Sequence, residues 1–369
     1  MTIGGCEVIM KKMWMAACAL VVTASALAVG GADGESVVLK DPPSLSWGKD
    51  GVTTFCGALS KGLAMDGQTV SYEELMVDTG LAFRVRWFQG VEERKRVCPS
   101  SPVGEFPEET GLAGKAIGRS FKGVVRLDRK DPHMGDCLPQ IMKELQAGRP
   151  VLGYDRALNV NLIYGYEADA KEVLTRDFFN GDKTVKIPLA KLPGHLIMLG
   201  GKSKAPIPEE NAIRGIEHAV KNWTRDEAAK SNGKAFYAYG KQGYERWIKD
   251  LKESDTNDVL AQMMFQPNWW TFDSLTDARR AGGKHLRVLA KTSKAKEELL
   301  QAAAICDEIG KASASVYVKH DAFTGPWSGK KQDAWDNAMR QRELAILENT
   351  RDLDEKLIAQ LALALEKMK

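Results

Sequence analysis

A cysteine at the start of a predicted helix is the residue of this chain best suited to covalent chemistry. Cys56 lies in the segment FCGAL at residues 55–59, where an apolar helical pattern begins and continues to Met65. Backbone N–H groups and the helix dipole at such a position stabilise a thiolate, the form of cysteine that attacks acyl groups. Gly57 would let a substrate carbonyl approach the helix end. The alternative is that Cys56 is a small buried hydrophobic residue.

Two downstream segments predict strands that could accompany this helix. They are GRPVL at residues 148–152, which leads into a predicted strand at residues 150–154, and NVNLIYGYE at residues 159–167, which contains a predicted strand at residues 160–166. The order of these segments resembles the papain-like cysteine superfamily, in particular the bacteriocin-leader peptidases and the N-terminal domain of butirosin biosynthesis protein H. In those families a cysteine helix precedes a GRPV-like strand and a histidine-containing strand that ends in Gly-Tyr-Asp. The resemblance covers about residues 45–200.

The resemblance assigns a role to four positions. It implies that Cys56 is the nucleophile and that Asp177, after the next predicted strand, is the acid that orients the base. The position of the family histidine holds Asn159, and the position of the glutamine that donates to the oxyanion holds Asp50. An asparagine side chain cannot shuttle protons. The resemblance therefore implies a papain-like site that is degenerate in catalysis.

Three hypotheses about function follow. In the first, the chain binds a peptide or another amide-containing ligand near Cys56 without cleaving it. In the second, Cys56 is the nucleophile of a thiol hydrolase or acyltransferase, supported by His133 or His195 as a replacement base or by Asn159. Such support is needed because an unactivated thiol is only a few per cent ionised at neutral pH. In the third, the chain is a structural or partner-binding envelope protein, and its second half makes the contacts.

The order of predicted elements indicates an α+β fold. Two helices and then a run of short strands are predicted between residues 50 and 200, whereas helical patterns cover most of residues 209–369. We therefore expect a papain-like α+β domain at residues 29–204, followed by an all-α helical domain at residues 205–369. Aromatic residues in the second region are expected to be core anchors.

The first 28 residues have the three parts of a secretory signal peptide. Lys11 and Lys12 precede an apolar run at residues 13–22, and ASALA at residues 24–28 offers a cleavage site after Ala28. Met10 could equally be the start. We therefore predict a secreted or periplasmic protein with no membrane span after cleavage. In an oxidising compartment a disulfide between Cys98 and Cys137 is possible.

Composition excludes several classes of partner. A formal net charge of +3 gives no reason to expect nucleic-acid binding. The five histidines are scattered, and there is no Cys-x-x-Cys spacing, phosphate loop or serine nucleophile elbow. We therefore predict no metal and no cofactor. The sequence does not indicate an oligomeric state.

Overall fold

The described part of the chain has a mixed α+β architecture, as predicted. The computed structural model describes residues 35–89, 99–100, 108–125, 137–154, 159–192, 195–203, 207–225, 229–231, 234–318 and 335–369. The predicted signal peptide, Cys98 and His133 lie outside these ranges, so their proposed roles stay predictions. Within these ranges, ten strands form two sheets and are accompanied by nine α-helices.

The elements follow one another in two groups. Up to residue 200 they are β1 (Val37–Val38), α1 (Thr54–Met65), α2 (Tyr72–Asp78), a 3-10 turn (Leu81–Phe83), β2 (Arg86–Phe88), α3 (Glu108–Ile117), β3 (Lys122–Val125), α4 (Leu138–Gln146), β4 (Val151–Tyr154), β5 (Val160–Glu167), β6 (Glu172–Arg176), β7 (Val185–Pro188), a second 3-10 turn (Leu189–Lys191) and β8 (His195–Met198). After residue 200 they are α5 (Pro208–Trp223), β9 (Ala229–Ser231), β10 (Lys234–Tyr239), α6 (Gly240–Glu253), α7 (Asp258–Leu289), α8 (Lys296–Val318) and α9 (Asn337–Met368).

The larger sheet positions the cysteine helix. Its strands are antiparallel in the order β3-β8-β4-β5-β6-β7, and β1 pairs with β5. Side chains alternate between the two faces of a strand. Accordingly, Leu152 and Leu162 join the core cluster that contains α1, whereas Val151 and Ile163 join the cluster that contains α4. The sheet therefore lies between α1 and α4.

The second half of the chain is not all-helical, contrary to the prediction. β9 and β10 pair with each other, and β10 also pairs with β2, with Tyr237 opposite Phe88. The segment FYAY at residues 236–239 is rich in aromatic residues, which favour extended backbone when a partner strand is present. That partner lies about 150 residues earlier in the chain, so the helical pattern of the surrounding sequence was a poor guide here.

Packing joins the two halves of the chain closely. One core cluster contains residues from Leu45 to Met368. Trp87 of β2 stacks on Trp247 of α6, with ring centroids 4.7 Å apart. The predicted domain boundary at residue 205 lies between β8 and α5, and both the β2–β10 pairing and this aromatic stack cross it. Among the described residues, no helix is both long enough and apolar enough to cross a membrane.

Candidate functional site

Cys56 lies in the first turn of α1, as the sequence predicts, and its side chain is fully buried. Burial raises the pKa of the Cys56 thiol far above its ordinary value. A hydrogen bond with Thr79 lowers this pKa, and the nearby charge of Asp277 raises it further. Because desolvation has the largest effect, the structure favours the neutral thiol, not the thiolate that a helix start alone would stabilise.

An aspartate from the second half of the chain closes the start of α1. Asp277 of α7 accepts hydrogen bonds from the backbone N–H groups of Val52 and Thr53 and from the hydroxyl of Tyr72. The Thr53 N–H also contacts the Tyr72 oxygen at 3.2 Å. Burial raises the pKa of Asp277, and its three hydrogen bonds act in the opposite direction. The backbone N–H groups that precede the cysteine helix therefore donate to a carboxylate and not to a substrate.

Gly57 accommodates neighbouring chain segments. A Cβ atom at this position would lie 2.3 Å from the carbonyl oxygen of Asp50 and 2.9 Å from the ring of Phe178. Side chains cannot tolerate such distances without displacement of the backbone. The space beside the helix end that we expected to admit a substrate carbonyl is therefore filled by the protein itself.

Asp50, at the predicted oxyanion position, binds groups of its own loop and of α1. Its carboxylate accepts a hydrogen bond from the Ser46 N–H at 2.8 Å and forms an ion pair with Lys61 at 3.0 Å. A carboxylate has no hydrogen to donate to an oxyanion. In this structure Asp50 fixes the loop that leads into α1.

Asn159 immediately precedes the strand that contacts the start of α1. The backbone N–H of Val160 donates to the hydroxyl of Thr54 at 2.9 Å, and both residues are buried. Asp177 follows β6 and accepts hydrogen bonds from the N–H groups of Phe179 and Asn180, at 2.8 and 2.7 Å, and from the Asn180 side chain. The Asp177 carboxylate therefore closes its own turn.

His195, the alternative base, and Cys137, one cysteine of the predicted disulfide, lie on elements other than the strand after Asn159. His195 begins β8 and packs edge-on against Tyr154, with ring centroids 4.9 Å apart. Burial lowers the pKa of His195. β4 separates β8 from β5, so His195 lies about 10 Å across the sheet from the strand after Asn159. Cys137 is buried immediately before α4.

An acidic and aromatic group beside this site was missed by the sequence analysis. Asp273 lies one helical turn before Asp277 on α7 and accepts a hydrogen bond from the side chain of Trp47. Burial, with the charge of Asp277, raises the pKa of Asp273 to about 6. Trp47 stacks on Phe179 with ring centroids 5.5 Å apart, and these rings are 37% and 53% exposed. Two aspartates four positions apart, such as Asp273 and Asp277, are common on helices. Nothing in the sequence around them indicates that they contact Trp47, more than 200 positions earlier.

Among the described residues, the charged groups whose fields act on the Cys56 thiol are Asp277, Arg84 and Asp78, and none of them is a histidine. The two carboxylates oppose ionisation, whereas the arginine favours it. What this region does offer to solvent is the exposed Trp47–Phe179 pair, which provides an apolar contact surface bordered by the carboxyl group of Asp273.

Comparison with known proteins adds no relative. No protein-family model matches the chain, and no curated protein is significantly similar to it. The papain-like assignment therefore remains a proposal that rests on the residues quoted above.

Proposed function

We propose that this chain is an exported papain-like protein that binds a peptide or another amide-containing ligand beside Cys56 without cleaving it. The observation that carries the proposal is the closed start of α1, where Cys56 is fully buried and Asp277 holds the adjacent N–H groups. A nucleophile must be ionised and within reach of its substrate. Cys56 meets neither condition.

The residue at the position of the family base supports the same conclusion. Asn159 has no titratable group, so it cannot take a proton from a thiol. Asp177, which the resemblance makes the orienting acid, is bound to the backbone of its own turn. Neither side chain is therefore arranged to transfer a proton to or from Cys56.

The ligand surface that we propose is the exposed aromatic pair. The backbone N–H of Trp47 donates to the carbonyl of Phe178 at 3.0 Å, and the Phe178 ring contacts Gly57. Trp47 and Phe179 therefore lie next to the residues that cover α1. Ligand sites combine aromatic surface with a few polar groups, and peptide planes pack well on aromatic faces. The nearby Asp273 carboxyl group can accept a hydrogen bond from an amide.

Labelling of Cys56 tests whether the site is catalytic. We expect iodoacetamide to leave Cys56 unmodified in the folded protein between pH 6 and 8, and to modify it once the chain is unfolded. Cys306, which is also fully buried and whose pKa burial raises to about 12, is the internal reference in the same peptide map. Rapid modification of Cys56 near pH 6, absent in a Cys56→Ser control, would instead support the hydrolase or acyltransferase hypothesis.

Ligand binding is tested by removing the aromatic pair. A pool of N-acetylated tripeptide amides, observed by saturation-transfer NMR, should bind the wild-type protein and the Cys56→Ser variant alike. Trp47→Ala and Phe179→Ala should each weaken that signal. Val288→Ala, which shortens another exposed apolar side chain, is the matched control. Equal binding by all variants would exclude this surface, and no binding by the wild type would contradict the proposed function.

A further inference from the structure

Three side chains with metal-binding atoms meet where α3 packs against α5. Glu108 and Glu109 begin α3, and His218 comes from α5. One ligand atom from each residue lies within 4.8 Å of the others. Glu109 is almost fully buried, and the side chain of His218 is 13% exposed. The group therefore combines a protected carboxylate, a more accessible carboxylate and an imidazole drawn from two helices.

The neighbours of His218 leave a lone pair on Nε2. Arg225 donates to the side-chain oxygen of Asn222 at 3.4 Å, so the NH₂ group of that amide faces the imidazole. Asn222 Nδ2 lies 2.9 Å from His218 Nε2, which accepts its hydrogen. An unprotonated ring nitrogen is the form of histidine that binds metal ions, and here the Asn222 amide would have to turn away so that an ion could take the lone pair.

The distance from this lone pair to the buried carboxylate matches a shared ion. His218 Nε2 lies 3.3 Å from Glu109 Oε1, and both atoms are electron-pair donors in this arrangement. Two ligands at about 2.1 Å from a tetrahedral zinc ion are about 3.4 Å apart. The two atoms can therefore bind one ion with little movement, and the ion would replace the contact between two acceptors by two bonds.

We propose that Glu109, His218 and Glu108 form a site for a divalent transition-metal ion of the zinc type, which joins α3 to α5. The imidazole favours zinc, nickel or copper over magnesium and calcium, which prefer sets of oxygen ligands. The site is independent of the function proposed for Cys56. Its role is structural, since α3 and α5 approach each other through these side chains.

Arg225 competes with the ion for Glu108. Its guanidinium contacts both carboxylate oxygens, at 3.0 and 3.3 Å. A bound cation would share Glu108 with this positive charge. Removal of the arginine therefore distinguishes two interpretations. If the cluster is a metal site, metal binding becomes stronger. If the cluster is a salt-bridge network, only an ion pair is broken and metal binding does not improve.

The test is a zinc titration of the full chain after treatment with a chelator, read by competition with a chromophoric zinc indicator and by the shift of the thermal midpoint. We expect one ion per chain for the wild type. His218→Ala and Glu108→Gln should lose that ion or weaken its binding at least tenfold, whereas Arg225→Met should bind it severalfold more tightly. Glu210→Gln, an exposed acid on α5 paired with Arg214, is the matched control.

Each outcome decides the proposal. The circular dichroism spectrum of every variant establishes that it is folded before titration. Wild-type affinity and stoichiometry in His218→Ala would show that zinc binds elsewhere and would overturn the assignment. Failure of the wild type to bind, or zinc binding by Arg225→Met that is unchanged or weaker, would show that the cluster is an ion-pair network alone.

Discussion

Asp78, at the end of α2, is a buried acid whose carboxylate oxygens have no hydrogen-bond partner among the described residues. Burial, together with the charge of Glu74, raises its pKa to about 8, although Arg214 acts in the opposite direction. The folded protein therefore holds a proton on Asp78 at neutral pH, where an unfolded chain has released it. At this residue, protonation and folding are linked.

We expect Asp78 to make the protein less stable as the pH rises from about 4 to 8. In that interval the unfolded chain binds fewer protons at this position than the folded chain, so the free energy of unfolding falls with pH. One such group changes the free energy of unfolding by at most about 1.4 kcal/mol per pH unit. The side chain in Asp78→Asn cannot ionise. The free energy of unfolding of this variant minus that of the wild type, measured by urea unfolding at a series of pH values, should therefore increase from pH 4 to pH 8.

The difference between variant and wild type isolates this group from the other acids that titrate in the same range. Asp182→Asn, at an exposed position, is the control and should give a difference that does not change with pH. A constant difference for Asp78→Asn as well would show that Asp78 ionises normally in the folded protein.

Single residues also show how far the sequence predicts the candidate site. The FCGAL segment correctly located Cys56 in the first turn of a helix, because that preference is local. The same segment contains no information about Asp277, which lies 221 positions further along the chain and determines the environment of the thiol. Burial and charge come from tertiary contacts, and these change the pKa of a residue without changing its own sequence neighbourhood.

At the scale of elements, α2 and α5 cross at a glycine. A Cβ atom on Gly215 would lie 2.0 Å from the carbonyl oxygen of Val77 and 2.8 Å from the backbone of Asp78. The two helices can approach this closely only because position 215 has no side chain. Their separation is therefore determined by one residue.

Substitution of this glycine should separate the helices. Gly215→Ala is expected to lower the free energy of unfolding by at least about 1–3 kcal/mol, the usual cost of overpacking, measured by chemical denaturation. Gly111→Ala is the matched control, since it also lies in a helix but a Cβ there meets open space. It should raise stability by up to about 1 kcal/mol through helix propensity. If both variants gain stability, the close crossing of α2 and α5 is wrong.

Elements with strong local signals were predicted well. Ser71 accepts a hydrogen bond from the Glu74 N–H at 3.1 Å and caps α2, and the sequence SYEE at residues 71–74 has the Ser-x-x-Glu spacing typical of such a cap. The predicted strands at residues 150–154 and 160–166 correspond to β4 and β5. By contrast, local sequence is a poor guide to the start of α7, which begins at Asp258 and continues through Pro267, a residue that usually ends or kinks a helix. Buried Asn268, which bonds to Trp247 and Glu343, shows that tertiary packing stabilises this turn.

At the scale of the whole molecule, a buried arginine that is ion-paired within the second half also bonds to the first half. Arg279 of α7 bonds to both carboxylate oxygens of Asp354 on α9, at 2.8 and 2.6 Å. The same guanidinium donates to the backbone carbonyls of Ala82 and Phe83 in the first 3-10 turn, at 2.6 and 3.3 Å. Tyr244 of α6 completes the set by donating to Asp354. Every polar group in this centre depends on the arginine.

Removal of this arginine should therefore affect the entire fold. Arg279→Met leaves Asp354 as a buried charge without its cation, which costs about 3–5 kcal/mol. We expect a loss of that size in urea unfolding, with a single transition by fluorescence and by circular dichroism. Arg287→Met breaks the partly exposed pair with Asp307 and should cost less than about 1 kcal/mol. Comparable losses in the two variants would contradict a special role for Arg279.

The carboxylate of Asp277 at the start of α1 has a consequence for any attempt to make Cys56 reactive. A substitution at 277 that cannot accept hydrogen bonds leaves the N–H groups of Val52 and Thr53 without this acceptor, and so lowers stability. The same aspartate opposes ionisation of the Cys56 thiol, as does burial of the thiol. The groups that keep Cys56 neutral are therefore also groups that stabilise the fold, and a reactive thiolate at this position would weaken the start of α1.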